Sequence, residues 1–341
     1  MGTTTLITLK ERWGKFKAEN PMVRIRDAAK ALNTSEAQLL ATQAGGNATV
    51  LKEEFKEILK DVTSLGYVMA LTRNDHIVHE RKGVYQNVSF KDETGLVLGE
   101  DIDLRLFMQN WKFGFAVKEG ERESLQFFDK SGEAVHKIYM TEKSNSFAYL
   151  NLVEKYKSSF QSAEIEVEHY SDVQNEVADD KIDVEGFQKA WANMKDTHEF
   201  FGMLRRFNVT RIQAMRLAPK EFVKKVNNEA VRKMLQIVSE AQTDIMVFAG
   251  NRGCIQIHTG TVTKLLESRP WYNVLDPQFN LHLREDRISS TWIVKKPTED
   301  GDVNSLEIFD EEGNNIALFF GKRKPGLPER EDWRTVLACL N

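Results

Sequence analysis

The stretch Ser124-Leu-Gln-Phe-Phe-Asp-Lys-Ser-Gly132 recurs later in the chain as Ser305-Leu-Glu-Ile-Phe-Asp-Glu-Glu-Gly313. Each copy has the pattern of a β-strand followed by a tight turn, in which the glycine supplies a positive φ. At an offset of 177 residues, residues 66–118 and 243–295 share nine identities, where chance gives roughly three. The offset at 124–132 is 181 residues, so the four extra residues lie in a loop. The chain is therefore predicted to contain an internal duplication.

Each half begins with helical periodicity and continues with strand-like alternation. The helices predicted for the first half are Leu9–Asn20, Arg26–Leu32, Ser35–Thr42 and Val50–Leu65. The strands that follow are Tyr67–Leu71, Asp103–Met108, Trp111–Val117, Leu125–Phe128 and Ala134–Met140. A closing helix is predicted in each half, at Phe147–Lys157 and Glu329–Leu340. Tight turns between consecutive strands indicate mainly antiparallel sheet, so the predicted fold class is α+β with an internal structural duplication.

The duplication predicts two repeats, residues 1–160 and 185–341, joined by an acidic linker at residues 161–184. The stretch Glu164–Glu185 carries nine acidic residues against a single lysine. A charge run of this kind is typical of a solvated connector. The second repeat carries the candidate ligand helix described below.

Composition narrows the class of protein. The 341 residues carry a net charge of −4, which argues against a general nucleic-acid binder. Arg26–Leu40 resembles a small helix-turn-helix, but with this charge balance packing is the favoured role. Two cysteines, Cys254 and Cys339, favour a reducing compartment. With no apolar signal region at the N-terminus and no run of 18 apolar residues, we predict a cytoplasmic protein that does not span a membrane.

A long helix is predicted from Val184 to Phe207, with one histidine on its apolar face. The large apolar side chains of this face are Phe187, Trp191, Met194 and Phe201. His198 falls on the same stripe. Spacing alone leaves two interpretations open: a core histidine with a satisfied hydrogen bond, or a neutral imidazole directed into an apolar pocket, as axial ligation of haem iron requires. At an offset of 185 residues the counterpart of His198 is Trp13, so one such site per chain is predicted.

The segment Asp196-Thr-His-Glu-Phe-Phe-Gly-Met-Leu-Arg-Arg-Phe-Asn-Val-Thr-Arg211 resembles the ligand helix of the bacterial hemin-degrading (hemin-transport) factor family. Three further blocks resemble it: Asp103-Leu-Arg-Leu-Phe107, Ile245-Met-Val-Phe-Ala-Gly-Asn-Arg-Gly-Cys254 and Trp292-Ile-Val-Lys-Lys-Pro-Thr298. The resemblance covers nearly the whole chain. It implies a duplicated cytoplasmic protein that binds haem b, takes up imported haem and degrades it oxidatively to release iron. The implied partners are an external electron donor and an inner-membrane haem importer.

The resemblance also implies roles for individual residues. His198 falls on the proximal haem ligand of the family, and Arg211 on the arginine that faces the other side of the iron; these two are the candidate catalytic residues. Arg105 and Phe107 fall on residues of the haem cleft. The remaining matches are basic residues near it, Lys296 and Arg323. An arginine only donates hydrogen bonds, so Arg211 can hold a distal ligand without itself ligating iron.

Two positions depart from this pattern or add to it. His79 falls where the family can have a second, N-terminal haem-contacting histidine. A metal shared by His76 and His79 is disfavoured because positions i and i+3 of a strand face opposite sides. Leu318-Phe319-Phe320 stands where the family often has glutamine and tyrosine donors, so hydrogen bonding from that wall of the pocket is in question.

Two functions agree with these features. One is an enzyme, haem-oxygenase-like, that opens the haem ring with electrons from an outside donor, since the chain has no dinucleotide fingerprint. The alternative is a non-enzymatic haem carrier or store that passes haem to other proteins. The sequence features are common to both.

Overall fold

The computed structural model describes residues 7–170, 176–323 and 326–341. Ten α-helices lie in these ranges: α1 (Leu9–Glu19), α2 (Ile25–Ala31), α3 (Glu36–Ala41), α4 (Phe55–Asp61), α5 (Ser146–Tyr156), α6 (Val184–Ala192), α7 (Glu199–Phe207), α8 (Arg211–Leu217), α9 (Ala230–Glu240) and α10 (Glu331–Ala338). The strands that precede α6 are β1 (Ala48–Val50), β2 (Gly66–Arg73), β3 (Ile77–Val84), β4 (Ser89–Lys91), β5 (Thr94–Leu98), β6 (Asp103–Phe107), β7 (Phe113–Glu119), β8 (Arg122–Phe128) and β9 (Ala134–Ser144). Those that follow α8 are β10 (Val223–Val226), β11 (Ile245–Gly250), β12 (Cys254–Gly260), β13 (Leu265–Ser268), β14 (Trp271–Leu275), β15 (Phe279–Arg284), β16 (Ser290–Lys296), β17 (Val303–Phe309) and β18 (Asn315–Gly321).

The chain forms two compact units. Unit 1 contains Met1–Thr72, Lys82–Ser171 and Asn251–Ile255. Unit 2 contains Arg73–Arg81, Asp172–Gly250 and Gln256–Asn341. The unit assignment changes five times along the chain, after residues 72, 81, 171, 250 and 255.

The two units repeat one strand order. In unit 1 the order is β1-β7-β8-β9-β2, and β4, β5 and β6 form a separate antiparallel meander. In unit 2 the order is β10-β16-β17-β18-β11, and β13, β14 and β15 form the corresponding meander. Helices precede each set of strands, and α5 or α10 closes it. The predicted α+β fold with an internal duplication is therefore confirmed.

The repeated turn has the predicted geometry. Gly132 has φ +80° and Gly313 has φ +79°, a conformation that glycine adopts without steric cost. Gly313 also packs closely, since a Cβ there would lie 2.6 Å from the Cγ2 atom of Ile212. The Asp310 carboxylate accepts a hydrogen bond of 2.7 Å from the Asn314 amide. The turn that follows β17 is therefore packed against α8.

The prediction of a single helix over Val184–Phe207 is wrong. Helix α6 ends at Ala192 with Asn193 as its C-cap, and α7 begins at Glu199. Between them the Asp196 Oδ1 atom accepts a hydrogen bond of 2.9 Å from the backbone amide of His198. Such local side chain–backbone bonds compete with helical hydrogen bonds. Phe187, Trp191 and Met194 remain buried, but His198 does not share their face.

One further expectation differs from the structure. The predicted helix Val50–Leu65 is shorter, because Val50 lies in β1 and α4 begins only at Phe55. In the described part of the acidic linker, Glu176 and Asp179 both bind the Arg216 guanidinium of α8, while their side chains stay 34% and 42% exposed. The linker residues 171–175 lie outside the described residues, as do residues 1–6. The repeat boundaries stay a prediction.

Candidate functional site

His198 is an exposed histidine with one ring nitrogen already engaged. It occupies the N-cap position of α7, and 90% of its side chain is exposed. Its Nδ1 atom lies 2.6 Å from the Oδ1 atom of Asp196. The hydrogen bonds from the backbone and ring of His198, with a contribution from the charge of Arg323, lower the pKa of Asp196. A carboxylate on Nδ1 orients the ring and leaves Nε2 available, which is how metal-ligating histidines are commonly held.

Helix α7 places an aromatic ring beside this imidazole. Phe200, Met203 and Leu204 are buried on its inner face. Phe201 is 55% exposed. It lies three residues after His198, and residues three apart on a helix are neighbours on one face. The solvent-facing side of α7 therefore combines an imidazole with a flat apolar surface.

Arg211 lies against the same helix and is held by a buried carboxylate. It is the first residue of α8, whose N-cap Thr210 accepts a hydrogen bond of 3.2 Å from the Gln213 amide. Its Nε and Nη2 atoms donate to Glu307 on β17 at 2.8 and 2.9 Å. Its guanidinium carbon lies 5.4 Å from the centre of the Phe201 ring. The structure thus brings Arg211 close to the helix face that carries His198.

Glu307 binds a second cation, Lys296. The Lys296 ammonium donates to the Glu307 Oε1 atom at 2.7 Å, and the side chains are 3% and 0% exposed. Burial by itself would raise the pKa of Glu307, but the charges of Arg211 and Lys296 outweigh it and hold the pKa well below its usual range. Glu307 is therefore ionised at neutral pH. Sequence reasoning missed it, although a carboxylate inside the apolar strand Ser305-Leu-Glu-Ile-Phe309 was the available signal.

The other predicted residues of unit 2 occupy varied surroundings. Arg323 is half-buried, and its charge acts on Asp196, beside His198. Phe320 packs edge-on against Phe248, with 5.1 Å between ring centres. Lys296 lies 5.8 Å from the Phe320 ring. The wall that lacks hydroxyl donors is therefore an aromatic wall beside the buried ammonium.

Arg105 and Phe107 belong to unit 1, on β6. The Arg105 Nη1 atom donates to the Asp103 carboxylate and, at 3.2 Å, to the Leu104 carbonyl. The Phe107 amide donates to the Gly253 carbonyl at 3.0 Å, and its side chain is half-buried. Their assignment to a haem cleft stays a prediction.

His79 is a fully buried histidine of unit 2. Neither ring nitrogen has a hydrogen-bond partner among the described residues, and the same holds for the buried His258. Both rings pack on Phe279, with centroid distances of 4.9 and 3.7 Å. Burial and the neighbouring His258 lower the pKa of His79 well below its usual value. The ring of His76, in contrast, has a polar neighbour: its Nε2 atom lies 3.5 Å from the Oδ2 atom of Asp310.

A membrane-spanning helix is not found: within the described ranges no helix is both long and apolar enough to cross a bilayer.

The fold and this site define a class: a duplicated α+β protein that exposes a carboxylate-oriented histidine and an aromatic ring beside a buried Arg–Glu–Lys cluster. The sequence model of the haemin-degrading HemS.ChuX domain matches residues 33–156 and again residues 208–340. The chain belongs to this family.

Relatives of known sequence or structure match almost the full length. The chain is 38% identical to the hemin transport protein HemS of Yersinia enterocolitica, over 98% of this chain and 97% of that protein. It is similar to the crystal structure of apo-PhuS, a heme-binding protein from Pseudomonas aeruginosa, with 42% identity, a TM-score of 0.95 and 98% of each chain covered. It is also similar to ChuS, described as an E. coli heme oxygenase, with 35% identity, a TM-score of 0.87 and coverage of 96% of this chain and 98% of that one.

Proposed function

We propose that this protein binds haem, with the Nε2 atom of His198 as the axial ligand of the iron. The observation that carries the proposal is the pair of His198 and Asp196. The exposed imidazole has Nδ1 fixed at 2.6 Å from the carboxylate, so its other nitrogen can ligate a metal. Phe201 on the same face offers the flat apolar surface that a porphyrin requires. The names of the relatives, a hemin transport protein and a heme-binding protein, agree with this ligand.

The basic residues suit the polar edge of haem. Haem b carries two propionates, which need cationic partners. Arg323 lies near His198, and Arg105 and Lys296 are the further basic residues that the resemblance assigns to haem. In this structure the Lys296 ammonium is bonded to Glu307, so its effect on haem is electrostatic. We assign Arg211 to the side of the iron opposite His198, and Phe107 to the lining of the cleft.

We further propose that bound haem is degraded oxidatively with release of iron in the cytoplasm. Haem itself supplies the iron and the redox chemistry. His198 would hold the haem, and Arg211 would direct its donor hydrogens to the side of the haem away from His198. Phe201 would exclude water. Electrons come from an external donor, and an inner-membrane importer supplies the haem. The description of ChuS as a heme oxygenase supports this activity.

The second candidate is a haem carrier, favoured by the description of HemS as a hemin transport protein. An assay of haem degradation distinguishes the enzyme from the carrier. The haem complex is incubated with a reductant in the presence of catalase while the Soret band is followed. Loss of the band with one defined tetrapyrrole product supports the enzyme. An unchanged spectrum, or bleaching that only hydrogen peroxide produces, supports the carrier.

A further inference from the structure

Glu307 is a buried anion between two cations, one of which we assign to the haem site. Its side chain is fully buried, and its two oxygens accept hydrogen bonds from Arg211, Lys296 and the Ser305 hydroxyl. A buried carboxylate of this kind is costly unless it is fully paired. Both oxygens of Glu307 are paired in this way.

The bonds to Glu307 fix the direction of the Arg211 guanidinium. Glu307 engages the Nε and Nη2 atoms, at 2.8 and 2.9 Å. A guanidinium has five N–H donors in a rigid plane. The Phe200 and Phe201 rings lie 5.1 and 5.4 Å from its carbon, which further restricts it. Among the described residues the Nη1 atom of Arg211 has no hydrogen-bond partner, so its two donors are available to a ligand.

The internal duplication shows whether the strand needs a charged residue at the position of Glu307. At an offset of 181 residues Glu307 corresponds to Gln126, which is also buried. The Gln126 Nε2 atom donates to the Ser124 hydroxyl, whereas Glu307 accepts from the Ser305 hydroxyl. The strand therefore forms with a neutral side chain at this position. The charged residue occurs in the half that carries His198, whereas the half with Gln126 has the buried Trp13 at the corresponding place.

We infer that Glu307 is a positioning residue of the haem site: it holds Arg211 so that Nη1 donates to an anionic ligand on the iron, and it ties Lys296 to the same arrangement. This inference rests on the proposed function. A carboxylate that is one methylene shorter keeps the charge but cannot keep the same two-point contact with Arg211 and the bond to Lys296. Glu307→Asp therefore tests position without changing net charge.

The probe is fluoride binding to the ferric haem complex, because fluoride on the iron accepts hydrogen bonds from a distal donor. We expect Arg211→Ala and Glu307→Asp each to weaken fluoride binding about 10-fold, the loss of a hydrogen bond to a charged group. The double variant should lose no more than either single variant, since both changes remove one interaction. Glu329→Asp is the matched control: Glu329 is another buried carboxylate of unit 2, bonded to Asn304 and Arg334.

Three results would overturn the inference: Glu307→Asp with the fluoride affinity of the unchanged protein, losses that add in the double variant, or an equal loss in Glu329→Asp. A readout without haem keeps it separate from the proposed function. In the haem-free protein the Nε–H resonance of Arg211 should be resolved by NMR and protected from exchange, and Glu307→Asp should abolish that protection. Protection that survives this change contradicts the inference. Failure of the protein to bind hemin contradicts the proposed function and leaves this second measurement interpretable.

Discussion

The imidazole of His198 and the carboxylate of Asp196 form a hydrogen-bonded pair at the surface, with Nδ1 and Oδ1 2.6 Å apart. The two residues are separated by only one position, and the same carboxylate also accepts the His198 amide at 2.9 Å. One acidic side chain thus binds both the backbone and the ring of His198 just before α7 begins. The histidine is exposed because α7 begins at this point rather than continuing α6.

His198→Ala should weaken hemin binding without abolishing it, because Phe201 and the cationic residues remain. The Soret band should move, and free imidazole should restore much of the original spectrum by filling the vacated space. The haem-free protein should keep its free energy of unfolding within about 0.5 kcal/mol, since the side chain is 90% exposed. His169→Ala, at another exposed histidine, serves as control. Early melting of the haem-free variant with an unaltered haem spectrum would remove His198 from the ligand role.

Asp196→Asn should lower hemin affinity about 10-fold or more, because partners that orient a metal-ligating histidine typically contribute this much. The Soret position should change little, since His198 still supplies the ligand. Hemin dissociation rates, measured by transfer to an acceptor protein, provide the comparison. Glu199→Gln, which changes an exposed acid next to His198, should leave the rate unchanged. Equal rates for Asp196→Asn and the unchanged protein would show that the carboxylate does not orient the ring.

A hemin titration should show one break, at one equivalent per chain. The counterpart of His198 in the first half is Trp13, which is 6% exposed, and His79 is fully buried. Neither offers an accessible nitrogen in this structure. The end point of the titration should become less sharp in His198→Ala and stay sharp in His79→Leu. A clear second break that disappears in His79→Leu would establish a second site.

Arg211→Ala should reduce stability as well as alter the haem spectrum. Removing one partner of a buried ion pair costs about 3 kcal/mol, and Lys296 remains to compensate part of the Glu307 charge. Haem binding itself should be largely retained, while the spin-state bands shift and any turnover falls. Urea unfolding and visible spectra measure the two effects. Arg287→Ala, at an exposed arginine of unit 2 outside α7, is the control, and an unchanged spectrum with Arg211→Ala would remove Arg211 from the site.

Stability should fall as pH drops below about 6.5, the ordinary pKa of histidine. Burial lowers the pKa of both His136 and His258 to about 3. Between these values the unfolded chain binds protons that the folded chain does not, so each histidine reduces the free energy of unfolding by up to about 1.4 kcal/mol per pH unit. The lowered pKa of Glu307 adds to the loss only below about pH 4.5, where an unfolded glutamate begins to take up a proton.

Urea unfolding at pH 7.5, 6 and 5 tests this dependence. His258→Leu should reduce the slope, because it removes one of the two buried imidazoles whose pKa is lowered to about 3. His169→Leu, at an exposed position, should leave the slope unchanged. A slope that His258→Leu does not alter would show that this residue is not the buried neutral group that the structure indicates.

The sequence alone determined the duplication, the α+β class and the identity of His198 and Arg211 as candidates. The duplication and the fold class follow from local pattern, namely strand alternation and turn glycines. Arg211 became a candidate only through the resemblance of the segment Asp196–Arg211 to the ligand helix of the family. A chain that repeats one supersecondary unit keeps the same spacing of strands and turns in both copies. Asp129–Gly132 and Asp310–Gly313 can therefore be matched by comparing the two halves of the sequence.

Only the tertiary structure decided how these residues are held. Arg211 and Glu307 are 96 positions apart, and no periodicity relates an α-helix start to a residue on a distant strand. The exposure of His198 follows from the break between α6, which ends at Ala192, and α7, before which the Asp196 carboxylate accepts a hydrogen bond from the His198 amide. The burial of Lys296 depended on the anion opposite it. Pairing of charges is a property of packing in three dimensions, since the cost of burying each charge is offset only by the partner that the fold brings to it.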